Sequence, residues 1–401
     1  MYIKLKIKSY PSKKARIIVP STIYPRFQSI HQLKWGHLSI HCEVLTHHKN
    51  NNILWVSEPL FQSLGIKYPS EHFIKLTQDT IDISIPIGIL LNSNHSLFQE
   101  PSTNLLWITF AQIASLFGYT PVFYAIDDIN QPNELISGYE WKSDRWEQVY
   151  VNLPSFHYLR TPYHSLYEDK VKYIQANSII NNPPFLNKWY LFKSLLTKHE
   201  TSQRIHEITI SPSLQHLERR LDEYPIWLKN EEFPHQPNLL IEKVSHQYIV
   251  TSEDESPYSF STFQDLVNHF FLPTFSYNIM QLAAPHHSNR HTLLLYKNSS
   301  ADWQCMFLTK QYTSTSLKNK LQSTATKLAS IIEKASHTKL IELGLVFSVE
   351  NESMLWLEDI QLQPNWEYHL SHPSRITESI PFFTELFNSI TTQWNESMAF
   401  T

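Results

Sequence analysis

The sequence predicts an α+β protein, with helices grouped against antiparallel strands. Three observations carry this. Apolar runs come in pairs joined by turn-rich peptides: "TLLLYKNSSADWQCMFLTK" turns at "KNSSAD", and "IELGLVFSVENESMLWLEDIQL" at "ENES". Helical spacing is confined to separate stretches, such as "LKNKLQSTATKLASIIEKA" and "ESIPFFTELFNSITTQW". One strand–helix–strand unit, "ISIPIGILL", "STNLLWITFAQIASLFGY" and "TPVFYAI", asks for a parallel pair.

Taken in order, residues 1–78 read as a small β domain. Its strands are "YIKLKIK", "ARIIVP", "HLSIHCEVL" and "NILWVS", with a short helix in "EPLFQSLGI". Lys4, Lys6, Lys8, Lys13, Lys14 and Arg16 make its start basic. Because "YIKLKIK" alternates, its lysines are expected on the wet face of a half-buried strand, with the edge of a sheet as one place for it. Residues 79–155 read as an α/β domain, its helix stopping at Gly118 and its end a hairpin, "ISGYEWKSDRWEQVYV". Residues 156–401 hold the rest. Helices are expected in "NKWYLFKSLL", "SLQHLERRLDEY" and "TFQDLVNHFF". Strands are expected in "PIWLKN", "NLLIEKVSHQYIVTS" and "SYNIMQLA", followed by the two hairpins and helices quoted above.

Composition narrows the function classes. Apolar residues make up 42% of 401, aromatic residues 13%, and charged residues only 17%. That is a folded chain with a large core and few charges. A net charge of −4 gives no whole-chain argument for nucleic acid, and none is expected as a partner. Cys42 and Cys305 form neither a disulfide framework nor a zinc spacing. No run approaches the ~18 apolar residues of a membrane span, and no apolar signal core opens the chain. An intracellular protein is expected, so the sequons at Asn298, Asn351 and Asn395 carry no weight. The 21 histidines include the pairs His47–His48 and His286–His287 but no H-E-x-x-H, so they read as surface polar groups. Trp189, Trp227 and Trp356 are expected in the core.

Glycine is scarce: there are six, and none between Gly138 and Gly344. Backbone that wraps phosphates needs glycine for close approach. A dinucleotide fingerprint, a P-loop and a kinase-type lid are thereby excluded from that stretch. The G-x-S-x-G elbow is absent throughout.

The stretch "LWLEDIQLQP" reads as a strand with Leu355, Leu357, Asp359 and Gln361 on one face. Asp359 and Gln361 then offer two oxygen ligands of the kind that hold Mg²⁺.

The order of segments resembles the YheC/YheD-like, endospore coat-associated proteins of the ATP-grasp superfamily, over nearly the whole chain. "IPIGILL" is similar to that family's "GPVIGIL"-like strand. "ISGYEWKSDRWEQVYVNLPSFHYLR" is similar to its run ending in "vvYdR". "PPFLNKWYLFKSLL" is similar to its "F-x-x-x-F-x-[DN]-K-W" helix start, and "YPIWLK" to its "YLKP" strand. "ELGLVFSVENESMLWLEDIQLQP" resembles its "ElGiDigiDedGrlWliEvNsKP" ending. The resemblance implies an ATP-grasp-like fold. An N-terminal β domain and a small α/β (pre-ATP-grasp) domain precede a region of two α+β lobes, with ATP between the lobes and Mg²⁺ on its phosphates. A carboxylate becomes an acyl phosphate and an amine attacks it, so catalysis is positioning and charge neutralisation. It places Lys188 and Lys229 on the ATP phosphates, and Asp359 and Gln361 on Mg²⁺.

This chain departs from the pattern in several places. Where a glycine-rich loop should follow Lys229 stands "NEEFPHQPN", whose Glu231 and Glu232 read as a solvated loop rather than an acid–base pair. The family's "fDiRv" aligns with "RHTLLL", which puts Arg290 at its aspartate and Thr292 at its arginine. Val346 stands at the "GiDigiD" aspartate, and Gln363 at the final lysine. Arg290 is expected to pair with Asp359 in place of a metal. With no catalytic residue assigned, the expectation is a degenerate member acting as a binding or assembly scaffold. It would sit in the mother-cell or forespore cytoplasm or at the spore coat, beside spore-coat or other sporulation proteins. The alternatives are an ATP-dependent carboxylate–amine ligase and a nucleotide sensor without turnover.

Overall fold

The computed structural model describes residues 2–35, 38–49, 52–63, 71–76, 78–83, 85–92, 101–142, 144–154, 156–160, 167–182, 186, 188–197, 208–210, 212–230, 238–252, 256–270, 279–283, 289–309, 313–350 and 354–399. Four sheets organise them, and the class is α+β as expected. Among the described residues no helix is long and apolar enough to cross a membrane.

The first sheet has eight strands, from Tyr2–Tyr10 to Thr80–Asp82. Its two end strands are Leu38–His41 and Glu43–His47, separated only by Cys42. One run of chain therefore bridges the two ends of the strand order and closes the sheet on itself. At the crossing, Cys42 N–H donates to His31 O and Glu43 N–H to Ala15 O. Leu5, Ile7, Ile17, Val19, Leu54 and Val56 fill the interior. Tyr2–Tyr10 is not an edge strand: it pairs with Ile53–Ser57 on one side and Glu71–Leu76 on the other. Closure explains this, because every strand then has a wet outer face; Lys6 is exposed there and Lys8 lies over the Trp55 ring.

In the second sheet, Ile85–Leu91 lies between Tyr119–Ala125 and Phe156–Leu159, all parallel, with the hairpin Leu135–Lys142 and Arg145–Asn152 at one side. The expected β–α–β unit and hairpin are both present. The helix Pro101–Leu116 joins the first two strands, and beyond it Gly118 takes φ 80°. A helix at Glu168–Asn177 was not anticipated. The helix 101–116 buries Leu106, Trp107 and Phe110 against Phe383 and Phe387 of the closing helix Ile376–Ala399. One core thus joins the middle sheet to the C-terminal helix.

The third sheet has six strands, from Ile208–Ile210 to Ile279–Leu282. Leu217, Leu221, Leu266 and Val267, on the helices Leu214–Leu221 and Phe263–Phe270, cluster with its Ile226 and Leu228. The fourth sheet runs Trp303–Phe307, Asn289–Lys297, Glu342–Glu350 and Met354–Gln361. The helices Lys188–Leu196 and Thr315–Ser336 share one core with its Leu293, Leu345 and Phe347. Trp189 is buried there, whereas Trp227 and Trp356 are only half-buried, because their faces look away from the packed helices.

A buried polar hub ties the middle sheet to the fourth. Arg160 follows the strand 156–159; its Nη1 lies 2.7 Å from Glu342 Oε1, and its Nη2 2.6 Å from Glu367 Oε2. Tyr158 Oη–H donates to Glu342 Oε2 at 2.6 Å, and the Trp366 ring stacks under the guanidinium at 4.5 Å. Asn182 Nδ2 donates to Glu342 O at 2.6 Å and also to Leu362 O, while its Oδ1 accepts from Ile341 N.

Candidate functional site

The two sheets of the C-terminal region meet where the strand Ile226–Lys229 faces the strand Met354–Gln361. In the six-stranded lobe the strand packs Ile226 and Leu228 to one side, which leaves Trp227 and Lys229 to the other. Lys229 is 6% exposed. Its Nζ donates to Gln281 Oε1 at 2.7 Å within the lobe and to Glu358 O at 3.0 Å across the cleft. Gln281 Nε2 reaches Leu357 O at 3.5 Å. Burial pushes the Lys229 ammonium down to about 8 and Lys188 and Arg290 add to this, while Asp359 and Glu358 oppose it.

Lys188 is the first residue of the helix Lys188–Leu196, beside the edge strand. Its Nζ lies 3.2 Å from Asp359 Oδ1 and 4.9 Å from the centre of the Trp189 ring. Lys229 approaches that ring at 5.6 Å, so one buried indole underlies both ammonium groups. Burial alone would raise the Asp359 carboxyl. The ammonium groups of Lys188 and Lys229 outweigh that and hold it below the usual carboxylate range.

The strand that carries the acids is not regular. In its pairing with Glu342–Glu350, Leu357 faces Phe347 and Asp359 faces Val346, so Glu358 is an extra residue, a β-bulge. This overturns the expected face. Leu355, Leu357 and Ile360 all pack in the core, whereas Asp359 and Gln361 lie on the other side. The bulge also turns Glu358 toward the cleft. Its Oε1 accepts from Ser348 Oγ, and its Oε2 lies 3.3 Å from Arg290 Nε. The expected Arg290–Asp359 pair is therefore replaced by two: Arg290 with Glu358, and Lys188 with Asp359. The sequence held a sign of this. Its apolar phase moves from odd positions, 355 and 357, to even ones, 360 and 362, and a strand does that only by inserting a residue. Gln281 and Ser348 left no comparable sign.

Gln361 lies over Gly344, where an added Cβ would meet Gln361 Oε1 at 2.8 Å and Pro364 Cβ at 2.8 Å. Glycine is required there for close approach. Glu231, Glu232 and the rest of "NEEFPHQPN" up to 237 lie outside the described residues, as do His286 and His287. Two other histidines depart from the surface reading: His157 and His291 are buried. His157 is held between Tyr124 Oη and Pro154 O, and burial pushes its imidazole down to about 3.

As a holder of Mg²⁺ this donor set fits poorly. Both carboxylates are already matched by side-chain cations, and among the described residues no three His, Cys, Asp or Glu groups converge on a metal position. As a holder of phosphate oxygens it fits better: Lys188 and Arg290 lie against the two neighbouring carboxylates, and Lys229 reaches the Glu358 carbonyl beside them.

No family model matches the chain, and no curated protein matches it. Among solved structures it is similar to a D-alanine-D-alanine ligase from Coxiella burnetii, at 10% identity and a TM-score of 0.47, over 79% of this chain and 97% of that one. It is similar to an N5-carboxyaminoimidazole ribonucleotide synthetase from Thermotoga maritima, at 10% identity and a TM-score of 0.45, over 76% of each chain. It is also similar to a Chryseobacterium gregarium RiPP-associated ATP-grasp ligase in complex with ADP and a leader and core peptide. There the identity is 10% and the TM-score 0.43, over 77% of this chain and 97% of that one. Likeness of this extent says nothing of activity or substrate.

Proposed function

We propose that this chain is an ATP-grasp-like protein that keeps the two-lobed scaffold without ligase turnover and acts as a binding or assembly module. By its sequence motifs it would be of the YheC/YheD-like, endospore coat-associated kind, with coat or other sporulation proteins as partners. One observation carries the reading. Asp359, which the resemblance would put on Mg²⁺, is paired with Lys188, and its neighbour Glu358 with Arg290. Phosphoryl transfer relies on metal-held oxygens at the phosphates as well as on cations, and here the carboxylates that would hold the metal are matched by side-chain cations of the chain itself. The absence of glycine between Gly138 and Gly344 points the same way.

A second reading, a working carboxylate–amine ligase using ATP and Mg²⁺, has one observation in its favour. The bulge sets the Glu358 carboxylate beside Asp359 and so supplies a second acid. It requires Lys188 and Arg290 to leave those acids.

The test is ADP release from Mg²⁺–ATP, with and without added amino acids or peptides, alongside the melting temperature. Absence of ADP under every condition is expected. Release that depends on an added amine would overturn the scaffold reading. A melting shift without release, ~2.7 kcal/mol of stabilisation at 100-fold the dissociation constant, would leave the absence of turnover standing, make nucleotide a ligand of the module and favour the sensor alternative.

A further inference from the structure

We infer that Lys188 and Arg290 stand in this cleft where a divalent cation would stand, so that an oxyanion of the phosphate class enters it without metal. The inference rests on the cleft being the ligand site, and it holds whether or not turnover occurs.

The argument begins with the bulge. Adjacent residues of a regular strand point to opposite faces. At Glu358 the extra residue breaks that rule, and two neighbouring carboxylates face one cleft. Glu358 is 8% exposed, and the Asp359 side chain 18%. Two acids so placed repel each other unless something positive lies against them. A divalent ion is one solution, and this chain uses another. Lys188 Nζ stands 3.2 Å from Asp359 Oδ1, and Arg290 Nε 3.3 Å from Glu358 Oε2. Ser348 Oγ–H fills a further lone pair of Glu358. Each carboxylate has its own cation, on a different element.

The charges then decide what else can enter. Among the described residues, Lys188, Lys229 and Arg290 against Glu358 and Asp359 leave an excess of one positive charge. A bare divalent ion added to that set would meet three cations, and it prefers about six oxygen donors. The carboxylates could serve it only by losing their partners. An oxyanion meets the opposite situation. Lys229 is an ammonium with three N–H groups, which donate to Gln281 Oε1 and Glu358 O. Lys188 and Arg290 keep partly exposed side chains, at 35% and 50%, so both can turn toward an incoming anion.

The experiment compares wild type with Arg290→Gln and with the double variant Lys188→Gln/Arg290→Gln. Mn²⁺ binding is followed by electron paramagnetic resonance without nucleotide, and fold is checked by circular dichroism. Melting temperature is measured with inorganic phosphate and with ATP, each in EDTA and in Mg²⁺. Wild type should bind no Mn²⁺ at millimolar concentration, and removing the cations should create a site at least tenfold tighter. The single variant, half-exposed at the altered residue, keeps the test open should the double variant not fold. ATP or phosphate should raise the melting temperature equally in EDTA and in Mg²⁺. Mn²⁺ binding by wild type, no gain in either variant, no shift with either anion, or a shift that needs Mg²⁺ would each overturn the inference. ADP release with metal-free binding would sink only the scaffold reading, so the two failures are distinguishable.

Discussion

At Lys229 a charge is held where burial opposes it. Its native pKa, about 8, lies below the ordinary 10.5. Between those values the unfolded chain binds a proton that the native chain does not, so stability rises with pH across that window. In Lys229→Met the titration is gone. The wild-type advantage over the variant should grow by on the order of 3 kcal/mol between about pH 7.5 and about pH 10.5, measured by urea unfolding at each pH. A flat difference would mean that the ammonium is not held against burial. Asp359 acts at the acid end. Its depressed pKa gives stability above the ordinary carboxylate range that is lost as pH falls through the native value. Attention fell on Lys229 and Asp359 through two short stretches, "YPIWLK" and "LWLEDIQLQP". Their pairings were not legible: Gln281 is 52 residues from Lys229 and Lys188, though itself singled out, is 171 from Asp359, and no local pattern encodes pairing at that range.

Among elements, the strand 354–361 was legible in extent and misread in facing. Alternation located the hairpin, but one inserted residue moved the acids off the face of Leu355 and Leu357. This has a testable consequence. Deleting Glu358 leaves a regular alternation in which Leu355, Leu357, Ile360 and Leu362 still share the core side. Deleting Trp356 puts Leu355 and Leu357 on opposite faces. Thermal unfolding should show a much smaller drop for the first deletion than for the second. A similar drop for both would argue against the bulge. The strand 85–91 carries a stricter demand. At Gly88 an added Cβ would lie 2.2 Å from His157 Nδ1, and that ring is fixed between Tyr124 and Pro154. Gly88→Ala should cost about 1–3 kcal/mol or more by overpacking, seen as a lowered denaturation midpoint. A neutral effect would mean that the ring can move aside.

Across the whole molecule, hairpins and amphipathic helices gave the α+β class, while the ties between sheets stayed hidden. Arg160 read only as the end of a motif, yet it binds Glu342 and Glu367 far along the chain. Glu342 is fully buried, and burial raises its carboxyl in spite of Arg160. Arg160→Met strands that acid and should destabilise the fold by about 3–5 kcal/mol. Adding Glu342→Gln should restore part of the loss, since the stranded charge is then gone. Equal or greater loss in the double variant, by urea titration with tryptophan fluorescence, would show that Arg160 acts through packing alone.

The six-stranded lobe begins at Ile208–Ile210 and ends at Ile279–Leu282, and these two strands are hydrogen-bonded neighbours. Entrance and exit of the lobe thus share one doorway, and the polypeptide on either side can be spliced without spanning any distance. Nature or an engineer could swap residues 208–282 as a cassette, changing what faces the strand 354–361 while the eight-stranded sheet, the middle sheet and the buried arginine stay as they are.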